Sequence, residues 1–280
     1  MTSILTNNGA MTALQTLRAT NNSLEATQNE IATGKKVSSA KDNAAIWAVS
    51  KTMETDVSSF KVVKDSLGVA ESTVSTGLAG AERVADILTQ MKDLAAGAMT
   101  DGTDFGKVQA QMAKKAEELT SVINGTQMNG INLLKTDIGN GGATFSALAS
   151  LDRTNGTATT TANTITVTSV DFEADIDPTT ITGITDATTA GTALGEIEAF
   201  LEVAIAGAAT LGSAAENISS QKEFIGSLAS SLESGIGSLV DADMEEASAR
   251  LKALQTQQQL GVQSLSIANQ APGAIMSLFR

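Results

Sequence analysis

The closing stretch of this chain repeats a small or apolar side chain at alternating steps of three and four: Met244, Ala247, Leu251, Leu254, Gln258, Gly261, Leu265 and Ala268. A slightly underwound helix turns such positions continuously toward one partner, so this stretch needs a second helix beside it. The opening stretch carries a weaker copy at Ala10, Leu14, Leu17, Asn21, Leu24, Gln28 and Ile31. Neither is apolar enough to stand alone in water, where long helices depend on tertiary packing. If the chain doubles back antiparallel, Leu24 meets Leu251 and Leu14 falls near Gly261. The two ends then close one coiled coil, and the chain between them reads as an insertion.

Composition narrows the fold further. Of 280 residues 42% are hydrophobic, yet only 3% are aromatic, with one Trp and no Tyr. The apolar content leans on alanine, which suits helices packed close along their length rather than an ordinary compact core. There is no Cys and no His, which removes thiol chemistry, disulfides, zinc sites and imidazole acid–base catalysis. A net charge of −13 argues against nucleic acid, whose partner needs a basic face. The start, MTSILTNNGAM, has neither the basic region nor the apolar core of a secretory signal. The most apolar window, Ala193 to Leu211, carries Glu196, Glu198 and Glu202, which speaks against a membrane span.

Gly34 breaks the first helix, and Ser38-Ser39 offers capping oxygens for the next. Gly34-Lys35 is no phosphate loop, because Asn29 stands where the pattern requires the earlier Gly. From about Asn43 to Ala98 one long helix is expected, with Met53, Val57, Phe60, Leu67, Val74, Leu78, Ala81, Ala85, Leu88 and Ala95 on its seam and Lys64, Glu71 and Lys92 interrupting it. A turn at Met99–Gly106 and a helix over Lys107–Ile123 follow, and then the turn pairs Asn124-Gly125 and Asn129-Gly130. Between Ile131 and Ala190 the pattern changes. Short apolar pieces (Ile131–Leu134, Phe145–Leu148, Ile165–Val170) alternate with Gly, Thr, Asn and Asp, and Thr164–Thr168 has period two. A small, exposed, β-rich excursion is expected there. Across residues 136–193 seven acids against Arg153 leave it at −6.

The longest seam follows: Ile197, Leu201, Ala204, Ala208, Leu211, Ala215, Ile218, Lys222, Ile225, Ala229, Leu232, Ile236 and Leu239. Asp243 breaks it, and the terminal heptads restart one residue out of step at Met244. That slip marks a joint where the apolar face turns to something new. The antiparallel pairing places Lys35, Lys36 and Lys41 near it, with Asp241, Asp243, Glu245 and Glu246. Asp241 and Asp243 are the one carboxylate pair that suggests catalysis or a metal, and at a helical joint they read as caps. No catalytic residue, metal ligand or cofactor site is expected, and the chain is not read as an enzyme.

The stretch NEIATGKKVSSAKDNAAIWAVSKTMETDVSSF resembles the N-terminal signature of bacterial flagellins, and INGTQMNGINLL is similar to the family's ETINxTxFNGxxLL ending. LVDADMEEASARLKALQTQQQLGVQSLSIANQAPGAIMSLFR resembles the flagellin C-terminus almost throughout. The match covers roughly residues 1–135 and 195–280, and the short middle resembles a compact, alphaproteobacterial-type member. The resemblance implies a mainly α fold. Residues 1–40 and 240–280 would pair as the coiled coil called D0, 41–135 and 190–239 would form the helical rod D1, and 136–189 would be a β-rich outer part. It implies a filament subunit that polymerises with itself or alongside related flagellins. Leu14, Leu17, Leu24, Ile31, Met244, Leu251, Leu254, Gln258, Gly261 and Leu265 would face the inner tube. Lys35, Lys36, Lys41, Asp241 and Asp243 would form the D0–D1 joint. The implied partners are the flagellar export apparatus, the filament cap and hook-junction proteins, with no nucleic acid and no membrane. The implied destination is secretion to the extracellular filament. The Thr-rich stretch Thr157–Thr161 is a candidate for O-linked sugars, as in some flagellins. A coiled-coil adaptor would explain the heptads but not the matched ends, and a hook–filament junction protein of the same superfamily is the nearer alternative.

Overall fold

The computed structural model describes residues 7–100, 102–153 and 160–278. The stretch Thr157–Thr161 lies outside the described residues apart from the backbone of its last two. In order run α1 (Asn8–Thr33), α2 (Ala44–Ala98), α3 (Phe105–Gly125), β1 (Thr144–Arg153), β2 (Thr160–Thr168), the single turn α4 (Phe172–Asp175), a 3-10 turn at Pro178–Thr180, α5 (Ala187–Val240) and α6 (Met244–Leu278). The fold is mainly α, with long helices and one small antiparallel sheet.

The chain divides into two compact units, Met1–Val57 with Ser230–Arg280, and Ser58–Ala229. Both α2 and α5 belong partly to each. This cut follows where packing changes, whereas the expected domain edges near 40 and 240 follow the breaks between helices.

In the unit Ser58–Ala229 the helices bury a continuous core. Val63, Leu67, Val74, Ala81, Leu88, Met91 and Ala95 of α2 are buried, as are Met112, Leu119 and Ile123 of α3 and Ile197, Ala204, Leu211, Ile218 and Ile225 of α5. The α5 seam runs as its spacing requires. An 18-residue window of α5 reaches a mean hydropathy of 1.4, enough by length and composition alone to cross a membrane. Here that helix gives its seam to the core. The polar residues interrupting the two seams meet each other: Lys222 Nζ of α5 donates to Glu71 Oε2 of α2 at 2.8 Å. Lys92 likewise pairs with Glu198 at 2.8 Å. Burial at these points shifts one residue along α2, to Val63, Ala70 and Met91.

The β-rich part is less exposed than its composition suggests. β1 and β2 pair antiparallel from Thr144 opposite Thr168 to Arg153 opposite Thr160, with an irregularity between Leu148 and Ser150. Ala147, Val167, Phe172, Ile176 and Ile184 enter the core. Gln221 Nε2 of α5 donates to Ala149 O of β1 at 3.0 Å. Ile131–Leu134, expected as a strand, is instead a folded corner organised by Asn132. The Asn132 side chain donates to Ile123 O at 2.7 Å and accepts from Leu134 N at 2.9 Å. That buries Leu133 and Leu134 without a ladder, since a side-chain amide can satisfy buried backbone groups as a strand partner would.

Two glycines permit the closest approaches. A Cβ at Gly80 would stand 2.4 Å from Thr126 Cγ2, and one at Gly207 would stand 2.5 Å from the Phe172 ring. The Phe172 ring is fully buried and has nowhere to retreat. Gly207→Ala is therefore expected to destabilise the chain by about 1–3 kcal/mol, the cost of overpacking a filled core. Gly212, on the same helix with open space around it, is the control: Gly212→Ala is expected to stabilise by about 0.5–1 kcal/mol. Urea unfolding of the two variants checks the contrast, and equal effects would contradict it.

Candidate assembly surface of the paired ends

In the other unit α1 and α6 lie antiparallel. Gln258 Nε2 donates to Asn21 Oδ1 at 2.9 Å, and Arg250 Nη1 stands 3.8 Å from Glu30 Oε2. A Cβ at Gly261 would lie 3.2 Å from Leu17 Cδ1. The register is thus shifted from the expected one. Leu17, not Leu14, faces Gly261, and Leu24 lies level with Leu254 and Gln255 rather than Leu251.

On α6 the least exposed positions are Ala247, Leu251, Leu254, Gln258, Gly261, Leu265 and Ala268, while Met244 is exposed. On α1 they are Ala10, Ala13, Leu17, Thr20, Leu24, Thr27 and Ile31, with Glu30 beside them facing Arg250. Ala13, Thr20 and Thr27 take the places expected for Leu14, Asn21 and Gln28. The threonine hydroxyls are satisfied within the helix, which permits this. Thr20 Oγ1 donates to Thr16 O at 3.0 Å and Thr27 Oγ1 to Ser23 O at 2.9 Å. A hydroxyl satisfied by its own helix leaves a methyl to pack, and Thr27 is only 3% exposed.

Displacing the larger side chains from the seam gives the pair two unlike flanks. Met11, Leu14 and Val262 are 65%, 38% and 53% exposed, and helical spacing puts them on one flank. On the other flank a groove of about 770 Å³ is lined by Gly9, Thr12, Thr16, Gln257, Gly261 and Ser264, together with Leu260, itself 56% exposed.

The joint is built from backbone. α1 ends on Gly34 in the left-handed region at φ 68°, where a glycine has no Cβ to strain. Lys36 N donates to Val240 O at 2.7 Å and Ala242 N to Gly34 O at 3.0 Å, so Lys35 and Asp241 face each other across a short antiparallel bridge. The helix does not continue through it. α5 stops at Val240, and Asp243 Oδ1 accepts from Glu245 N and Glu246 N at 2.9 and 3.1 Å to start α6. The change of seam also comes earlier than expected: Val240 is buried while Leu239 and Met244 are exposed.

The charges at the joint do not pair across it. Lys35 Nζ turns to Glu54 at 3.7 Å. Among the described residues no ion pair links Lys35, Lys36 or Lys41 to Asp241 or Asp243. Lys36 and Lys41 line a polar groove of about 870 Å³ with Asn22, Glu25, Asn29 and Asp42. Asp42 was not singled out by sequence, yet it shapes the loop. Its Oδ2 accepts from Ser39 N at 2.9 Å, Ser38 N at 3.1 Å and both serine hydroxyls at 3.1 Å. The serines expected as helix caps are thus donors to Asp42, and Asn43 Oδ1 caps α2 by accepting from Ala45 N and Ile46 N, both at 3.1 Å. Among the described residues no cluster of acids suited to a metal occurs.

The family model described as the bacterial flagellin N-terminal helical region matches residues 4–137, and the one described as the C-terminal helical region matches 194–279. A Brucella melitensis protein named flagellin is 41% identical, covering 100% of both chains. A Caulobacter vibrioides protein named flagellin FljO is 38% identical over 100% of this chain and 99% of its own length. A Rhizobium meliloti protein named flagellin C is 36% identical with both chains covered in full. Among solved structures a Bacillus cereus flagellin matches at 21% identity and a TM-score of 0.37, over 68% of this chain and 94% of that one.

The Ser39 amide, then the two serine hydroxyls, hold the Asp42 carboxyl below its usual value of 3.8. A carboxylate whose folded value is depressed contributes stability above the unfolded value, and loses it as pH falls through the folded one. The loop between α1 and α2 is therefore expected to loosen below about pH 3.8, with amide exchange at Ser38 and Ser39 accelerating. Asp42→Asn should show that faster exchange already at pH 7 and lose the acid step. An acid step unchanged in the variant would assign it to another group.

Proposed function

The chain belongs to the bacterial flagellin family and is a structural subunit of the flagellar filament; within that role, we propose that the paired ends form the inner tube. Residues 1–40 and 240–280 act as D0, residues 41–135 and 190–239 as the D1 rod, and 136–189 as its outer part. Leu14, Leu17, Leu24, Ile31, Met244, Leu251, Leu254, Gln258, Gly261 and Leu265 supply the seam and its flanks. Lys35, Lys36, Lys41, Asp241 and Asp243 form the joint between the two. No observation favours a hook–filament junction protein.

The observation that carries this reading is the unlike flanks of the α1–α6 pair. Exposed Met11, Leu14 and Val262 on one side, and a groove of mostly small residues beside Leu260 on the other, let one copy dock on the next through two different surfaces. Such heterologous contacts repeat without closing on themselves and generate an open helix. The seam itself is small and polar, and ordering a residue costs about 1–2 kcal/mol. Neighbouring copies therefore complete the burial that one chain leaves unfinished. Delivery through the export apparatus, growth under a cap on hook-junction proteins, and an extracellular location complete the reading.

Limited proteolysis tests it on the full-length chain. Monomer is expected to be trimmed within residues 1–40 and 240–280, while filaments resist the same protease there. Leu14→Glu with Val262→Glu should abolish sedimenting polymer without loss of helix content by circular dichroism. Ordinary filaments from that variant, or from the trimmed fragment, would overturn the role given to the ends.

A further inference from the structure

We propose that Asn7 and Pro272 act as one clamp that closes the α1–α6 pair at the end away from its joint. In an α-helix the carbonyl of residue 268 receives the N–H of residue 272. That residue is Pro272, the one proline within α6, and proline has no N–H to give. Asn7 supplies the missing donor: its Nδ2 donates to Ala268 O at 2.7 Å. The other end of the same amide is also engaged, with Oδ1 accepting from Ala10 N at 3.1 Å as the N-cap of α1. Ser, Thr or Asp could cap the helix equally well. A carboxamide accepts for one helix and donates to the other through two separate atoms of one short planar group.

The position explains the need. Between the joint and the clamp the seam consists of Ala10, Ala13, Thr20, Gln258, Gly261 and Ala268 among a few leucines, which hold two helices together only loosely. The backbone bridge around Lys35 and Asp241 fixes one end. Without a second tie the far end frays, as helix ends with few buried contacts do. Pro272 makes the α6 backbone offer a free acceptor at one place, and Asn7 is the side chain that reads it.

A double-substitution cycle tests the coupling by amide hydrogen exchange on the full chain, in solution and as sedimented polymer, each against its own unsubstituted reference. Asn7→Ser keeps a capping oxygen, and its shorter hydroxyl does not reach the Ala268 carbonyl while it caps α1. Exchange over residues 8–13 and 262–268 is expected to rise about fivefold, the scale of one net hydrogen bond. In the Pro272→Ala background residue 272 regains an N–H for the Ala268 carbonyl, and Asn7→Ser should then change exchange by less than about twofold. If Asn7→Ser alone prevents the ends from pairing, adding Pro272→Ala should restore the pair. Equal effects in both backgrounds, no effect in either state, or failure of that rescue would each overturn the clamp.

Discussion

A seam made of small side chains lets two helices approach closely while burying little surface, and the arrangement of the α1–α6 unit follows from that trade. Ala10, Ala13, Thr20, Thr27, Gly261 and Ala268 bring the backbones together, and apolar burial scales with area. Leu17, Leu24, Leu251, Leu254 and Leu265 supply most of what there is. The pair then depends on directional ties: the backbone bridge at the joint, Asn21 with Gln258, Glu30 with Arg250, and Asn7 with the Ala268 carbonyl. It also keeps Met11, Leu14 and Val262 outside, where a second copy can use them. For a filament subunit this is coherent. Ends that satisfied themselves fully would have nothing left to offer a neighbour.

The unit Ser58–Ala229 is built the opposite way. Its seams carry leucine, isoleucine, valine and methionine, and its corner residues Leu133, Leu134 and Phe172 fill the space between helices completely. Even the polar interruptions are spent internally, Glu71 on Lys222 and Lys92 on Glu198. Glycines at 80 and 207 are the points where a helix must come against a filled core. Val62, Val69, Ile205 and Phe224 of this unit stay exposed, but its core is filled without them.

The α5 seam was legible in sequence because large apolar residues occupy it at an unbroken spacing, so one phase wins by area. The α1 seam was misread at alternate positions because its two phases differ by little. Leu14, Asn21 and Gln28 compete with Ala13, Thr20 and Thr27, and Leu14, the one large apolar side chain among the six, draws the reading to the wrong phase. The threonine hydroxyl bonds its own helix at exposed Thr12 and Thr16 as it does at Thr20 and Thr27, so it lets a threonine methyl pack without marking which threonine does. The β-rich part was placed correctly, but its core residues were not expected, since Phe172 and Ile184 stand alone in polar sequence. Asn132 and Asp42 were invisible for another reason: each acts by satisfying backbone groups brought to it by turns, and no periodicity records that. The joint was located by a one-residue slip in the seam, while its backbone bridge left no trace in side-chain type.

The central claim is that the paired ends are the part of the chain that assembles, and a reconstruction of the polymer by electron cryomicroscopy meets it directly. The account predicts long tubes whose innermost wall is α1 and α6, with Met11, Leu14 and Val262 of each copy against the small-residue groove of the next. Soluble monomers under all conditions, or tubes with α1 and α6 on the outer wall, would contradict it.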